Sequence, residues 1–403
     1  MIDRLYEELV EHHARRHRQI LFLMGPRQVG KTTSCRRAAE RFEEFHYLNW
    51  DNRNHRETIV GGPEEVADAL ELQRLRETPP LLVLDEIHKW GKWKDFLKGL
   101  FDTYEQTLRI VVTGSARMDV FRSGGDSLMG RYFAHRMHPL SVAELARSEA
   151  PSDELIAPPS PIDEQDYRTL WEMGGFPEPF EHRDETFYNR WRETRSQLLF
   201  NEDLRELTRI RELGQVELLA EFVRRQVGST LVYSNLSRDL DASVSTVKRW
   251  VETLSRLYYC FAIRPWHKNV KRSLRKRPKS YLWDWSLVDE PGARAENMVG
   301  SALLKAVHHW TDAGFGEFDL HFVRDKEQHE VDFAVVRDGE VWFLVEVKTS
   351  STSLSSDLER FRDQTGADHA FQVVLEQAYV DRDCFEVNEP VVVPAETFLS
   401  QLV

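Results

Sequence analysis

Short unbroken apolar runs alternate with helical stripes along the first third of the chain. A charged, amphipathic stretch from Asp3 to about His17 predicts a helix. Strand-like runs follow at 19–24, 45–49, 81–84 and 109–113, with helical patterns between them. Strands that alternate with helices predict an α/β unit built on a parallel sheet. The proline-rich stretch 148–163 interrupts this pattern and reads as a linker. Residues 164–226 look helical, broken at 174–180. Within 215–259 three helices are expected, with Ser234 and Ser243 as N-caps. Strand-like pieces at 260–266 and 280–285 follow, so the segment predicts a winged helix-turn-helix. The remainder reads as a helix (293–309), strands near 319–323, 331–336 and 341–347, a helix (355–364) and a strand (371–375), a second α/β unit. The expected partition is 1–150, 151–214, 215–287 and 288–403.

Composition narrows the class. The 403 residues are 41% hydrophobic, 30% charged and 11% aromatic, as in folded globular chains. With 54 Lys and Arg against 67 Asp and Glu, the net charge of −13 excludes a surface coated for nucleic acid, but not a local basic patch. Cys35, Cys260 and Cys384 are far apart and form no CxxC, which argues against a disulfide framework or a cysteine zinc site. No apolar run approaches the roughly 20 residues that span a bilayer, so a cytoplasmic chain without a membrane partner is expected.

The strongest motif is Gly25-Pro26-Arg27-Gln28-Val29-Gly30-Lys31-Thr32, followed by Thr33. It is a GxxxxGK[ST] loop between a strand and a helix, where glycines let backbone N–H groups curl around phosphates. The pattern assigns ATP to this loop, Lys31 to the β- and γ-phosphates and the Thr32 hydroxyl to Mg²⁺. Downstream, LLVLDE ends a strand in two acids. Asp85 is expected to hold Mg²⁺ with Thr32, and Glu86 to orient or deprotonate the attacking water. A further strand ends in Thr113, Gly114 and Ser115, where a hydroxyl could sense the γ-phosphate.

GPRQVGKTT, LDEIHKW, VTGSAR, LMGRYFAHRMHPLSVAEL and GGFPEPF, in that order, resemble a prokaryotic family of AAA+ ATPases whose P-loop core is fused to a C-terminal domain of poorly defined role. The resemblance extends over nearly the whole chain. It implies an AAA+ core in a homo-oligomer, a ring such as a hexamer among the forms, with a winged helix behind it. It also implies Ser115 or Thr113 as sensor, and Arg131 as an arginine finger reaching a neighbouring subunit, with Arg136 as rival.

In the last unit, Asp332 lies in an apolar strand, and Glu346 and Lys348 sit two apart on the next, hence on one face. Glu296 lies on the helix upstream. Facing carboxylates can hold a divalent metal, and a lysine can position its water. The set resembles the PD-(D/E)XK nuclease fold, a restriction-endonuclease-like α/β domain, and implies a second divalent-metal site. Finally, 264–279 carries eight Lys or Arg and no acid. Lys268, Lys271, Arg272, Arg275, Lys276, Arg277 and Lys279, with Lys248 and Arg249 on the preceding helix, are expected to contact nucleic acid, DNA rather than RNA. Two functions follow as expectations: an ATPase that remodels or moves on DNA, its nuclease-like end binding or cutting; or a nucleotide-dependent switch that recruits proteins, with an inactive nuclease-like domain.

Overall fold

A computed structural model of the chain describes residues 2–114, 128–147, 154–207, 212–267 and 276–403. It divides into two units, Met1–His138 and Pro139–Val403.

In the first unit, helix Leu5–Arg16 precedes strand β1 (Ile20–Met24), which leads through the glycine loop into helix Lys31–Ala39. Strands β2 (Phe45–Asn49), β3 (Leu81–Asp85), β4 (Arg109–Gly114) and β5 (Tyr132–Arg136) complete a five-stranded sheet in the order β2-β3-β4-β1-β5. All its pairings are parallel. Because helices cover both faces of such a sheet, its central strands can be apolar without alternation. ILFLM and LLVLD are accordingly buried throughout, and Phe22, Leu82, Leu84 and Val112 pack on Leu97, Leu100 and Phe101. Strand β5 was not expected. It lies at the sheet edge, and its half-exposed YFAHR carries no apolar run.

In the second unit, helices Glu164–Met173, Pro177–His182 and Glu185–Leu198 fill the region expected to be helical. The break foreseen at 174–180 is shorter than the motif, because Pro177 stands in the first turn of a helix, where its missing N–H costs nothing. Helices Leu213–Arg225, Tyr233–Asp239 and Val244–Arg256 follow, then an antiparallel ribbon of β6 (Cys260–Pro265) and β7 (Lys279–Leu282). Ser243 caps its helix by accepting from the Thr246 N–H. Ser234 does not: the cap position belongs to Val232, and Ser234 lies inside the first turn.

Helix Pro291–Asp312, strands β8 (Phe318–Arg324), β9 (Glu330–Arg337) and β10 (Glu340–Lys348), helix Ser356–Thr365, and strands β11 (His369–Val374) and β12 (Val391–Pro394) come next. Strands β8, β9 and β10 form an antiparallel meander, while β10, β11 and β12 run parallel. Strand β6 pairs with β8 through Arg264 and Pro265, so the ribbon and the last unit share one sheet, β12-β11-β10-β9-β8-β6-β7. No described helix is long and apolar enough to cross a membrane.

Candidate functional site

The glycine loop leaves the end of β1 and closes on the first turn of helix Lys31–Ala39. Two of its positions require glycine. A Cβ on Gly25 would lie 2.3 Å from the Met137 carbonyl oxygen, and Gly30 takes φ 101° as it caps the helix. Gln28 is also left-handed, at φ 62°. The Lys31 ammonium donates to the carbonyls of Gly25 (2.9 Å) and Pro26 (2.7 Å), so the lysine lies along its own loop. Arg4, buried, donates to the carbonyls of Val29 (2.6 Å) and His138 (2.7 Å) and ties the loop to the chain beyond β5. Sequence reading passed over Arg4, which precedes a helix with no motif around it.

Asp85 ends β3, in register with Asn49 of β2 and Thr113 of β4. That register puts donors from both neighbouring strands beside one carboxylate. Thr113 Oγ1 donates to Oδ1, while Oδ2 accepts from Thr32 Oγ1 (2.9 Å), Tyr47 OH (2.5 Å) and Asn49 Nδ2 (3.4 Å). The glycine-loop threonine and the strand-end aspartate are thus brought together. Tyr47 and Asn49 were missed, because FHYLN gives no hint of where its polar ends point. Burial and the adjacent Asp85 push the Tyr47 phenol up to about 12, so it stays a donor across the working pH range. The Arg36 guanidinium lies 4.0 Å from the centre of its ring.

Glu86 follows in a left-handed conformation, φ 56°, with its backbone N–H on the Thr113 carbonyl. Its Oε2 is buried without a hydrogen-bond partner and lies 3.5 Å from the Lys89 ammonium. Burial raises its pKa above the ordinary carboxylate value against the pull of Lys89 and Lys31, which favours accepting a proton. An oxygen set of hydroxyl and carboxylate suits Mg²⁺, and the bonded pair Thr32–Asp85 supplies it. Arg131 is placed elsewhere. It immediately precedes β5, at the sheet end opposite the loop, and forms a two-pronged pair with Asp102 (2.6 and 3.0 Å). Arg136, in register with Met24, lies at the loop end. Ser115 lies outside the described residues.

In the second unit, Glu296, Asp332, Glu346 and Lys348 come together on helix Pro291–Asp312 and strands β9 and β10. Lys348 donates to Glu346 Oε1 (2.7 Å), and the Val347 N–H donates to Asp332 Oδ2 (2.9 Å). Burial, then the Asp332 charge, hold both Glu296 and Glu346 above the usual carboxylate range. Glu346 Oε2 is buried and unpartnered.

Sequence reading missed the central member, Lys279. Expected on an exposed basic surface, it is only 3% exposed. Its ammonium lies 2.5 Å from Glu330 Oε1, 3.2 Å from Glu296 Oε1 and 3.6 Å from Asp332 Oδ1. Its assignment to nucleic acid is therefore corrected: three half-buried carboxylates hold the buried lysine inside. Tyr281, two residues on, donates to Glu296 Oε1 (2.7 Å). Among the described residues no group of three or more His, Cys, Asp and Glu is arranged to hold a metal ion, and the residues around Lys279 do not fit the expected second metal. Of the other basic positions, Lys248, Arg249, Lys276 and Arg277 are exposed, and Lys268, Lys271, Arg272 and Arg275 lie outside the described residues.

Comparison with known proteins finds a described domain around the first of these sites. Residues 17–146 match the AAA_14 family, described as an AAA domain. Residues 164–290 and 291–395 match two families described only as domains of unknown function, DUF8612 and DUF4143. The chain is 23% identical over 346 residues to the uncharacterized protein Rv2008c of Mycobacterium tuberculosis, covering 84% of this chain and 72% of that one. The uncharacterized protein Mb2031c of Mycobacterium bovis matches to the same extent. Among solved structures, AMPPCP-bound DnaA from Aquifex aeolicus is 15% identical, with TM-score 0.32 over 63% of this chain and 88% of that one. PCH-2 of C. elegans is 14% identical, with TM-score 0.25 over 42% and 44%. Residues 17–146 thus carry an AAA domain, an α/β P-loop core on a parallel sheet.

Proposed function

We propose that the chain binds and hydrolyses ATP at the glycine loop and uses the cycle to act on DNA. The observation that carries the hydrolytic reading is the convergence on Asp85 of Thr32, Tyr47 and Thr113, with Glu86 beside them. In this mechanism the loop N–H groups and Lys31 bind and orient the phosphates, Lys31 exchanging its carbonyl partners for phosphate oxygens. Thr32 and Asp85 would hold Mg²⁺, whose charge offsets that of the phosphates. Glu86, raised in pKa by burial, aligns a water on the γ-phosphate and takes its proton. Thr113 holds Asp85 in place, which suits the sensor role. Arg131, at the far end of the sheet, suits a role on a neighbouring subunit's nucleotide in a homo-oligomer.

The DNA reading rests on the exposed cations Lys248, Arg249, Lys276 and Arg277, on a helix and a ribbon in winged-helix order. The helix, three-strand, helix, strand order of 291–374 and the meeting of Glu296, Asp332, Glu346 and Lys348 support a nuclease-like fold. The second reading, a protein-recruiting switch with an inactive nuclease-like domain, is favoured by the Lys279 ammonium among the carboxylates.

ATPase assays with and without single-stranded, duplex and branched DNA separate the two readings. Lys31→Ala is expected to abolish hydrolysis, and Glu86→Gln to spare ATP binding but stop turnover. Full activity in Lys31→Ala would refute the site. Stimulation by DNA that falls when Lys248, Arg249, Lys276 and Arg277 become Gln supports the first reading, and no stimulation supports the switch. Each lost phosphate contact should flatten the log–log salt slope by about 0.9.

A further inference from the structure

The carboxylate cluster of the second unit is organised around a cation that belongs to the chain. Lys279 is the first residue of β7, and Tyr281 follows on the same face of the strand. From there the ammonium reaches Glu330, Glu296 and Asp332 at 2.5, 3.2 and 3.6 Å. Further donors surround the cluster, although Glu330 Oε2 and Glu346 Oε2 accept no hydrogen bond. Tyr281 donates to Glu296 Oε1, the Val347 N–H to Asp332 Oδ2, Lys348 to Glu346 Oε1, and Arg324 Nε lies 3.0 Å from Glu330 Oε2. A divalent ion between Glu296 and Asp332 would sit within a few ångströms of this ammonium, which already occupies Glu296 Oε1 and faces Asp332 Oδ1. In a site largely withdrawn from solvent, like charges a few ångströms apart repel.

We infer that Lys279 is a tethered cation standing where a metal would otherwise bind, so that the native chain holds this centre without a divalent ion, and that removing its charge opens a metal site on Glu296, Glu330 and Asp332. The nuclease-like centre would then serve binding or packing rather than metal-assisted hydrolysis. The inference is independent of the ATPase and DNA readings, because it is tested by metal binding in the absence of nucleotide.

The test is calorimetric titration of Mn²⁺ into the full chain, as native protein, Lys279→Met, Lys279→Arg and Lys279→Met/Asp332→Asn. Lys279→Met is expected to bind Mn²⁺ at least about tenfold more tightly than native protein. Asp332→Asn should abolish the gain, and Lys279→Arg, which keeps the charge, should show none. A background site at Thr32 and Asp85 would be common to all four proteins and would cancel. Native protein that binds Mn²⁺ through Asp332 as tightly as Lys279→Met overturns the inference, as does a Lys279→Met protein with no gain. If Lys279→Met does not fold alone, Mn²⁺ is expected to restore its far-ultraviolet circular dichroism and a cooperative melt. Failure to restore them overturns the inference too.

Discussion

Tyr47→Phe isolates one hydroxyl at the nucleotide site. The ring stays, so its packing under Arg36 at 4.0 Å is retained, and only the 2.5 Å bond to Asp85 Oδ2 is lost. A hydrogen bond to a charged group contributes about 1.5–3 kcal/mol. Asp85 keeps Thr32, Asn49 and Thr113 as donors, which places the loss at the lower end, about 1.5 kcal/mol. If the bond aligns Asp85 during hydrolysis, that corresponds to roughly a tenfold fall in kcat. Nucleotide affinity should change by less than about threefold, because Tyr47 is engaged with Asp85, Asn49 and Arg36 and not with the loop proposed to bind the phosphates. Asn49→Ala is the internal control. Its bond to the same oxygen is long, 3.4 Å, so its effect should be less than about threefold. The assay is steady-state phosphate release across a Mg²⁺ titration, with affinity read from a fluorescent ATP analogue. A Tyr47→Phe protein within about twofold of native kcat, or an Asn49→Ala protein that falls equally far, would refute the alignment argument.

Two predictions concern stability. His13 is buried, its Nε2 2.8 Å from the Gln19 carbonyl, and burial, with His135, His17 and His12 nearby, lowers its pKa to about 4. The unfolded chain therefore takes up this proton first, at about 6.5, and stability falls as pH drops from there towards 4. Between pH 7.5 and 4.5 this group should contribute a loss of about 2–3 kcal/mol, read as the difference in urea midpoints between native protein and His13→Gln; parallel pH profiles would refute it. In the second unit, Lys305 pairs with Glu144 and donates to Ser141 Oγ, with the Lys305 and Glu144 side chains 2% and 1% exposed. Lys305→Met should destabilise the protein by about 3–5 kcal/mol, because it strands a buried carboxylate, while Lys305→Met/Glu144→Met should recover most of that loss. A double variant no more stable than the single one would show that packing, not charge, sets the effect.

How far the sequence reaches depends on whether a residue's neighbours are local. Ile20–Met24 and Leu81–Asp85 were legible because strands buried on both faces must be apolar along their whole length. The glycine loop was legible because its residues are contiguous and its two glycines are demanded by backbone shape. Strand β5 was not, since an edge strand with half-exposed positions has no such requirement. Tyr47, Asn49 and Arg4 were invisible for another reason. Their partners lie 38, 36 and 25 or more residues away, brought together by strand register for Tyr47 and Asn49 and by the packing of the first helix for Arg4. Lys279 left one usable signal: it shares a strand face with Tyr281, whose ring belongs inside, and the inward face of a strand is set by its aromatic residues. All four positions of Lys279–Leu282 are buried, so the basic run of 264–279 ends inside a strand with no exposed face.

The two carboxylate sites differ in what satisfies them, and that difference decides what each can hold. The hydrogen bonds to Asp85 come from two threonine hydroxyls, a phenol and an amide, all neutral. Neutral donors fix the geometry of a carboxylate and leave its charge uncancelled, so an incoming dication is still attracted. Around Glu296, Glu330, Asp332 and Glu346 the work is shared with Lys279, Lys348 and Arg324. Those partners cancel most of the negative charge within bonding distance, and the attraction for a dication falls with it. A Lys introduced at position 47 should therefore do to the first site what Lys279 does to the second, and Tyr47→Lys is expected to lose Mg²⁺-dependent turnover far beyond the tenfold fall of Tyr47→Phe.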